Sequence, residues 1–533
     1  MPTPLESMCK RLETLSTLQT TVQYRIPALW IPPHTTGGVR LLRNPAAYYH
    51  SIVRSILEQP LSPQKQPTRE STGLIYLTYI RHTTAWDHDG SGTITYDLGT
   101  DHWRQTGTCL KLIALLPYLR WLGVTTLLLL PPTTHGRTHA KGTLGSPYAP
   151  QDHCTIEETL AEPILEEGAT IEFAALVEAC HRLGMQVIVE LAMRVASLDC
   201  PLIAHHPDWF YWVREDVPQP LRPPHFLPEQ VTQIKEAVER RDFSELPPPP
   251  PEYRAQFVEP PQRVLQRSDG LFVGETTSGE RCIVPSVFAD YPPDDNQPLW
   301  TDITYFRLHT HSHCNYIAYD TVRYYRPELE GSENTALCNY IASVIPRWIE
   351  RFHVDGVLLD MGHAFPPSLH RAIIENARRS QPDLIMIEES FDRSDPSIRQ
   401  LGYDLVVGDV WHWSSSIASL QHFSRTHAPK SRNRYLASPD THNTPRIASR
   451  GICTALYAFA VCSQLPGGVP LITSGSELGE CEPINTGLGF SADDIAQYSP
   501  ERLPLFSGRT LRWDHPDWEI LEFIGSIYGR KAH

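Results

Sequence analysis

At 533 residues, 41% of them hydrophobic and 12 of them Trp, the chain can bury more core than one ordinary domain needs, and a barrel with insertions matches that size. Its net charge of -15, from 61 acidic and 46 basic residues without a basic stripe, makes nucleic acid and anionic membranes poor partners. The 11 Cys contain no CxxC pair and the N-terminus no apolar signal core, so the expectation is a soluble cytoplasmic protein without a disulfide framework or zinc site.

Residues 1–72 read as a separate N-terminal segment, with IPALWIPP and a helical stretch from Pro45 to Leu57. From Leu74 onward, short apolar runs alternate with longer helical patterns. The runs are LIYLTYI from Leu74, VTTLLLLPP from Val124, QVIVELAM from Gln186, DGVLLDMG from Asp355, LIMIEES from Leu384, DLVVGDV from Asp404, RYLASPD from Arg434 and PLITSGSE from Pro470. Several are apolar throughout, as parallel strands covered on both faces must be. An open doubly wound sheet shares this pattern, but a count of eight points to a closed (β/α)8 barrel, an α/β fold.

The barrel is expected over 73–195 and 311–533, interrupted by a subdomain over 196–310 after the third strand. That long connection has aromatic clusters such as DWFYW, little helical pattern before Thr335, and the run Pro247 to Pro251, read as a stiff surface loop. Trp209, Phe210, Tyr211 and Trp212 suit either sugar stacking or a small core. The chain closes on WEILEFIGSIYGRKAH, read as the eighth outer helix with no further β domain after it.

In such a barrel the reacting groups stand where strands pass into βα loops. Asp360 ends the fourth strand, Glu388 and Glu389 the fifth, and Asp440 the seventh. Glycoside cleavage with retention needs one carboxylate to attack the anomeric carbon and another to protonate the departing oxygen, roughly 5–5.5 Å apart. A third can hold sugar hydroxyls as the ring flattens.

These segments resemble the α-amylase family, glycoside hydrolase family 13, from Leu74 to the end of the chain. The resemblance implies that HVDGVLLDMGH carries the nucleophile, Asp360, and IMIEESF the acid/base, with Glu389 favoured over Glu388 by its spacing to Phe391. SPDTHNTPR resembles the stabiliser segment, giving Asp440, and GSPYAPQD the aromatic platform loop, giving Tyr148 with Asp152 as a neighbouring substrate contact. Within the family, ELAMRVASLDCPLIAHHPDWFYW, DMGHAFP and SGSELGE are similar to bacterial maltosyltransferases, some of which use maltose 1-phosphate. The implied activity is retaining transfer of maltosyl or glucanosyl units between α-1,4-glucans, with no organic cofactor. Plain hydrolysis of α-1,4-glucans, or an inactive glucan-binding homologue, are the alternatives.

The chain departs from the family at three places. The usual Arg two residues before the nucleophile is Leu358, the strand-three Asp and Asn-His pair is replaced by Glu190, Arg194 and Val195, and Pro439 replaces the His before the stabiliser. A lost Arg matters because a cation lowers the nucleophile's pKa. The expectation is that Arg194, at the neighbouring strand end, supplies the charge, and that Glu190 is structural. His363 and His442, just past Asp360 and Asp440, are candidate sugar contacts. Arg194 at the usual calcium-ligand position argues against an obligatory metal there.

Overall fold

The computed structural model describes residues 2–32, 41–59, 73–99, 101–222, 224–240, 247, 249–287, 300–310 and 333–529. Pro33 of IPALWIPP, Pro248 of the proline run, the start of the 311–533 segment up to residue 332 and the last four residues lie outside them.

Eight parallel strands close into a barrel. They are β1 (Leu74–Thr78), β2 (Val124–Leu129), β3 (Gln186–Leu191), β4 (Gly356–Leu359), β5 (Ile385–Glu388), β6 (Leu405–Val406), β7 (Tyr435–Ala437) and β8 (Gly468–Thr473). Closure is made by β8 pairing with β1, with Leu471 opposite Ile75 and Thr473 opposite Leu77. Each expected run supplies one strand, because residues apolar on both faces fit only between a packed interior and a covering of helices.

Alternation along each strand sorts its side chains. Ile188, Leu358, Ile385, Ile387, Leu436 and Leu471 form the core inside the barrel, whereas Val187, Val189, Val357, Leu359 and Met386 join the outer core beneath the helices. Two residues further along the inward rows stand Glu190, Asp360 and Glu389. Glu388 falls on the outward row, so the pleat itself separates the adjacent Glu388 and Glu389.

The helix Cys109–Leu122 shows how tightly the outer shell is drawn. Thr108 caps its start, and Gly123 ends it at φ 94, where a Cβ would lie 2.0 Å from the Tyr528 carbonyl of the last helix, Trp518–Tyr528.

The N-terminal segment is not separate in packing. Its helices Pro4–Leu18 and Pro45–Leu57 bury Leu5, Met8, Leu12 and Tyr49 in the same core as Phe173 of the helix Ala169–Arg182. Glu178 of that helix accepts from the Thr3 hydroxyl at 2.9 Å and the Leu5 amide at 3.0 Å.

The insertion after β3 leaves and returns through one antiparallel pair, Val195–Ser197 against Ile303–Tyr305. Between these lies a five-stranded sheet in the order Phe257–Val258, Trp212–Arg214, Arg281–Ile283, Phe272–Glu275, Arg263–Gln266. Two expectations are corrected here. The segment does contain a helix, Pro228–Arg240, whose narrow stripe of Val231, Ile234 and Ala237 is easily lost among charged residues. Pro247 and Pro249 are buried while Pro251, which opens the short helix Pro251–Arg254, is exposed, so the proline run lies only partly at the surface. Trp209, Phe210, Tyr211 and Trp212 are all buried, and the core reading of that cluster is the one realised.

Among the described residues no helix is long and apolar enough to cross a membrane, and no three His, Cys, Asp or Glu side chains cluster as metal ligands.

Candidate active site

A cavity of about 580 Å³, its open mouth included, stands over the strand ends. Its floor is apolar, built from Leu77, Leu128, Leu358, Leu436 and Leu471, and its polar wall carries Glu190, Glu389, Ser438, Thr441, His442 and Asn443. Leu358, where the family has Arg, is thus part of the apolar floor, two positions before Asp360 on the inward row.

Asp360 follows β4, and the next residue, Met361, takes a left-handed conformation at φ 51. This bend turns the Met361 amide toward β5, where it donates to Glu389 Oε2 at 2.8 Å. Asp360 and Glu389 are therefore neighbours, tied by the peptide that follows the first of them. A residue that is not glycine tolerates this backbone only where the surroundings hold it, and here a carboxylate does so. Burial pushes Asp360 up to about 6, and the positive charge of Arg194 pulls against that rise.

Arg194 is 3% exposed, stacks 4.7 Å from the Tyr305 ring centroid and reaches the Tyr305 hydroxyl at 3.4 Å. Its charge bears on Asp360, yet among the described residues no ion pair joins the two. It acts through space from beside the cavity, not as a clamp on the carboxylate.

Tyr148 connects two walls. Its hydroxyl donates to Glu190 Oε1 at 3.0 Å and lies 2.9 Å from His442 Nε2, while the two rings stack at 6.1 Å and 9°. Burial, then the charge of Arg446, lowers His442 to about 3, so its ring is neutral. With one hydroxyl proton given to Glu190, the contact from His442 is an Nε2–H donating to the Tyr148 oxygen. Glu190 is 2% exposed, and burial followed by the charges of Asp360 and Glu389 raises its pKa well above the carboxylate range.

Asp440 is placed differently from the other acids. It is fully buried, whereas Asp360 is half-buried, and neither of the two is among the residues that line the cavity. The Ser476 hydroxyl lies 2.8 and 2.9 Å from its two oxygens, the Ile447 amide donates to Oδ2 at 2.8 Å, and Arg446 lies close behind. It anchors the β7 loop to the β8 loop, and this presents Thr441, His442 and Asn443 to the cavity in its place.

Asp152 also lies off the cavity wall. It is exposed on the strand Pro150–Ile156 and accepts from the Cys154 amide at 2.7 Å, because the hairpin turns its side chain outward. His363 is exposed on the β4 loop with Nδ1 3.1 Å from the Glu389 carbonyl, near the acids but outside the cavity wall. Glu388 is buried outside the barrel, pushed up to about 7 by burial and then by Asp395. Sequence reasoning missed Phe391 and Trp411, which wall the cavity and meet edge to face at 5.9 Å. Their position just past β5 and β6 was the available signal.

No family model matches the chain. It is 37% identical over 117 residues to the alpha-1,4-glucan:maltose-1-phosphate maltosyltransferase of Cereibacter sphaeroides, a match spanning 20% of this chain and 19% of that protein. It is 35% identical over 118 residues to the enzyme of the same name from Rhodospirillum rubrum, covering 20% and 16%. Among solved structures, an α-amylase from Anoxybacillus aligns over 86% of this chain and 78% of its own at 13% identity and a TM-score of 0.50. The cyclic α-maltosyl-(1→6)-maltose hydrolase of Arthrobacter globiformis aligns over 86% and 81%, also at 13% and 0.50. The shared feature is the fold, the (β/α)8 barrel of α-amylase-family enzymes.

Proposed function

We propose that the chain is an α-glucan-processing enzyme that transfers maltosyl or glucanosyl units between α-1,4-linked glucose chains through a covalent glycosyl-enzyme. The observation that carries this reading is that the Met361 amide, next to Asp360, donates to Glu389, an acid of the cavity wall. In the proposed reaction the Asp360 carboxylate attacks the anomeric carbon of the donor while Glu389 protonates the departing glycosidic oxygen. Glu389, now ionised, then takes the proton of an acceptor hydroxyl as that oxygen displaces Asp360. An Asp360 pKa near 6 leaves most of this carboxyl ionised at neutral pH, as an attacking group must be.

Maltotetraose is the test substrate. Products both longer and shorter than the input support transfer, shorter products alone support hydrolysis, and binding without products removes the enzymatic reading. The burial of Asp440 behind the cavity gives that last outcome a specific basis, since a third acid is then missing from its expected place.

A further inference from the structure

The buried position of Asp440 leaves a vacancy in the chemistry proposed above, and a different side chain stands where it could be filled. Glu190 follows Ile188 on the inward row of β3, beside Leu358 of β4 in the barrel register, and forms part of the cavity wall. One of its oxygens accepts from Tyr148 at 3.0 Å. The other, Oε2, is buried and has no hydrogen-bond partner in the protein. An orphaned carboxyl oxygen on a residue of the cavity wall calls for a polar group arriving from outside, because a polar atom left buried and unsatisfied costs stability.

We propose that Glu190 is a substrate-binding acid of this site, its Oε2–H donating to a hydroxyl of the sugar held over Asp360 and Glu389. The inference rests on the glucan reading above and adds to it a third carboxyl, drawn from β3 instead of β7. Charged and titratable groups face Glu190 from three other elements: Asp360 after β4, Glu389 after β5, and Tyr148 after β2, with His442 behind Tyr148. Two of these are acids, so Glu190 serves as a neutral donor and adds no further negative charge beside them. Tyr148, by occupying Oε1, fixes the carboxyl's rotation and leaves the proton on Oε2.

This arrangement differs from a structural acid in what its loss does. A structural Glu190 would stabilise the fold, whereas here its truncation removes an unsatisfied buried oxygen and its effect appears in substrate affinity.

The experiment compares wild type, Glu190→Ala and Glu190→Gln by maltotetraose titration calorimetry, initial rates and urea midpoints. Glu190→Ala is expected to weaken maltotetraose binding about tenfold, the worth of one hydrogen bond to a buried group, with no fall in its urea midpoint. Glu190→Gln, which retains an N–H donor of similar reach, is expected to recover most of that loss. Unchanged affinity in Glu190→Ala, or a Gln variant as weak as the Ala variant, overturns the proposal while leaving the glucan reading in place. If the two variants bind normally but unfold at lower urea, the residue is structural and the proposal also falls. Wild type that neither binds nor converts maltotetraose refutes the glucan reading itself, and this inference with it.

Discussion

Replacing Asp360 with Asn separates what the carboxyl does for chemistry from what it does to the fold. Asn keeps the shape and removes the charge. In the fold Asp360 titrates near 6 against an ordinary 3.8, a rise of about two units driven by burial and already net of the Arg194 attraction. At about 1.4 kcal/mol per unit, the ionised form is disfavoured by roughly 3 kcal/mol. The sign follows from the direction of the shift. The stability contributed by the protonated form is fully present below pH 3.8 and is lost as pH rises through about 6. Asp360→Asn is therefore expected to be more stable than wild type by about 1 kcal/mol at pH 4.5 and about 3 kcal/mol at pH 8. Its maltotetraose turnover should fall by roughly three orders of magnitude, because the attacking oxygen is gone. Urea denaturation at the two pH values and product analysis measure both halves. An Asn variant no more stable than wild type at pH 8, or one whose advantage does not grow with pH, would refute the argument that burial dominates Asp360. Retained turnover would refute its assignment as the nucleophile.

Three further perturbations test other parts of the account. Ser476→Ala strips a hydroxyl partner from both oxygens of the buried Asp440 and should cost about 1–3 kcal/mol, seen as a lowered melting temperature. Leu12→Ala truncates a fully buried side chain and should cost about 2–5 kcal/mol, and if the N-terminal helices share the barrel's core it lowers one common unfolding transition. A separate early transition would contradict that packing. Tyr148→Phe leaves both Glu190 and His442 without their mutual partner and should reduce the maltotetraose rate about tenfold, and an unaltered rate would show that this chain of contacts is idle.

The eight strands were legible before any coordinates. GVLL is apolar at every position and QVIVEL is so from Val187 to Val189, which only a strand covered on both faces requires, and each became one strand of the barrel. Spacing to Phe391 favoured Glu389 over Glu388 through the family resemblance, and the folded strand puts Glu389 on the inward parity of Ile385 and Ile387. The strand-end level of Asp360 and Glu389 followed from where those apolar runs stop. Periodicity could not tell where a side chain turns once its strand has ended. Asp440 stands three residues past the end of β7, in a loop whose course is set by Ser476, Ile447 and Arg446, partners 36, 7 and 6 positions away along the chain. Asp152 was lost to the cavity by the outward turn of its hairpin, and Glu190 was gained when a tyrosine 42 residues earlier in the chain took one of its oxygens. Local sequence specifies pleat and period because these depend on neighbours two to four residues apart. Which acids meet a common cavity depends on contacts between distant loops, and only folding brings those loops together.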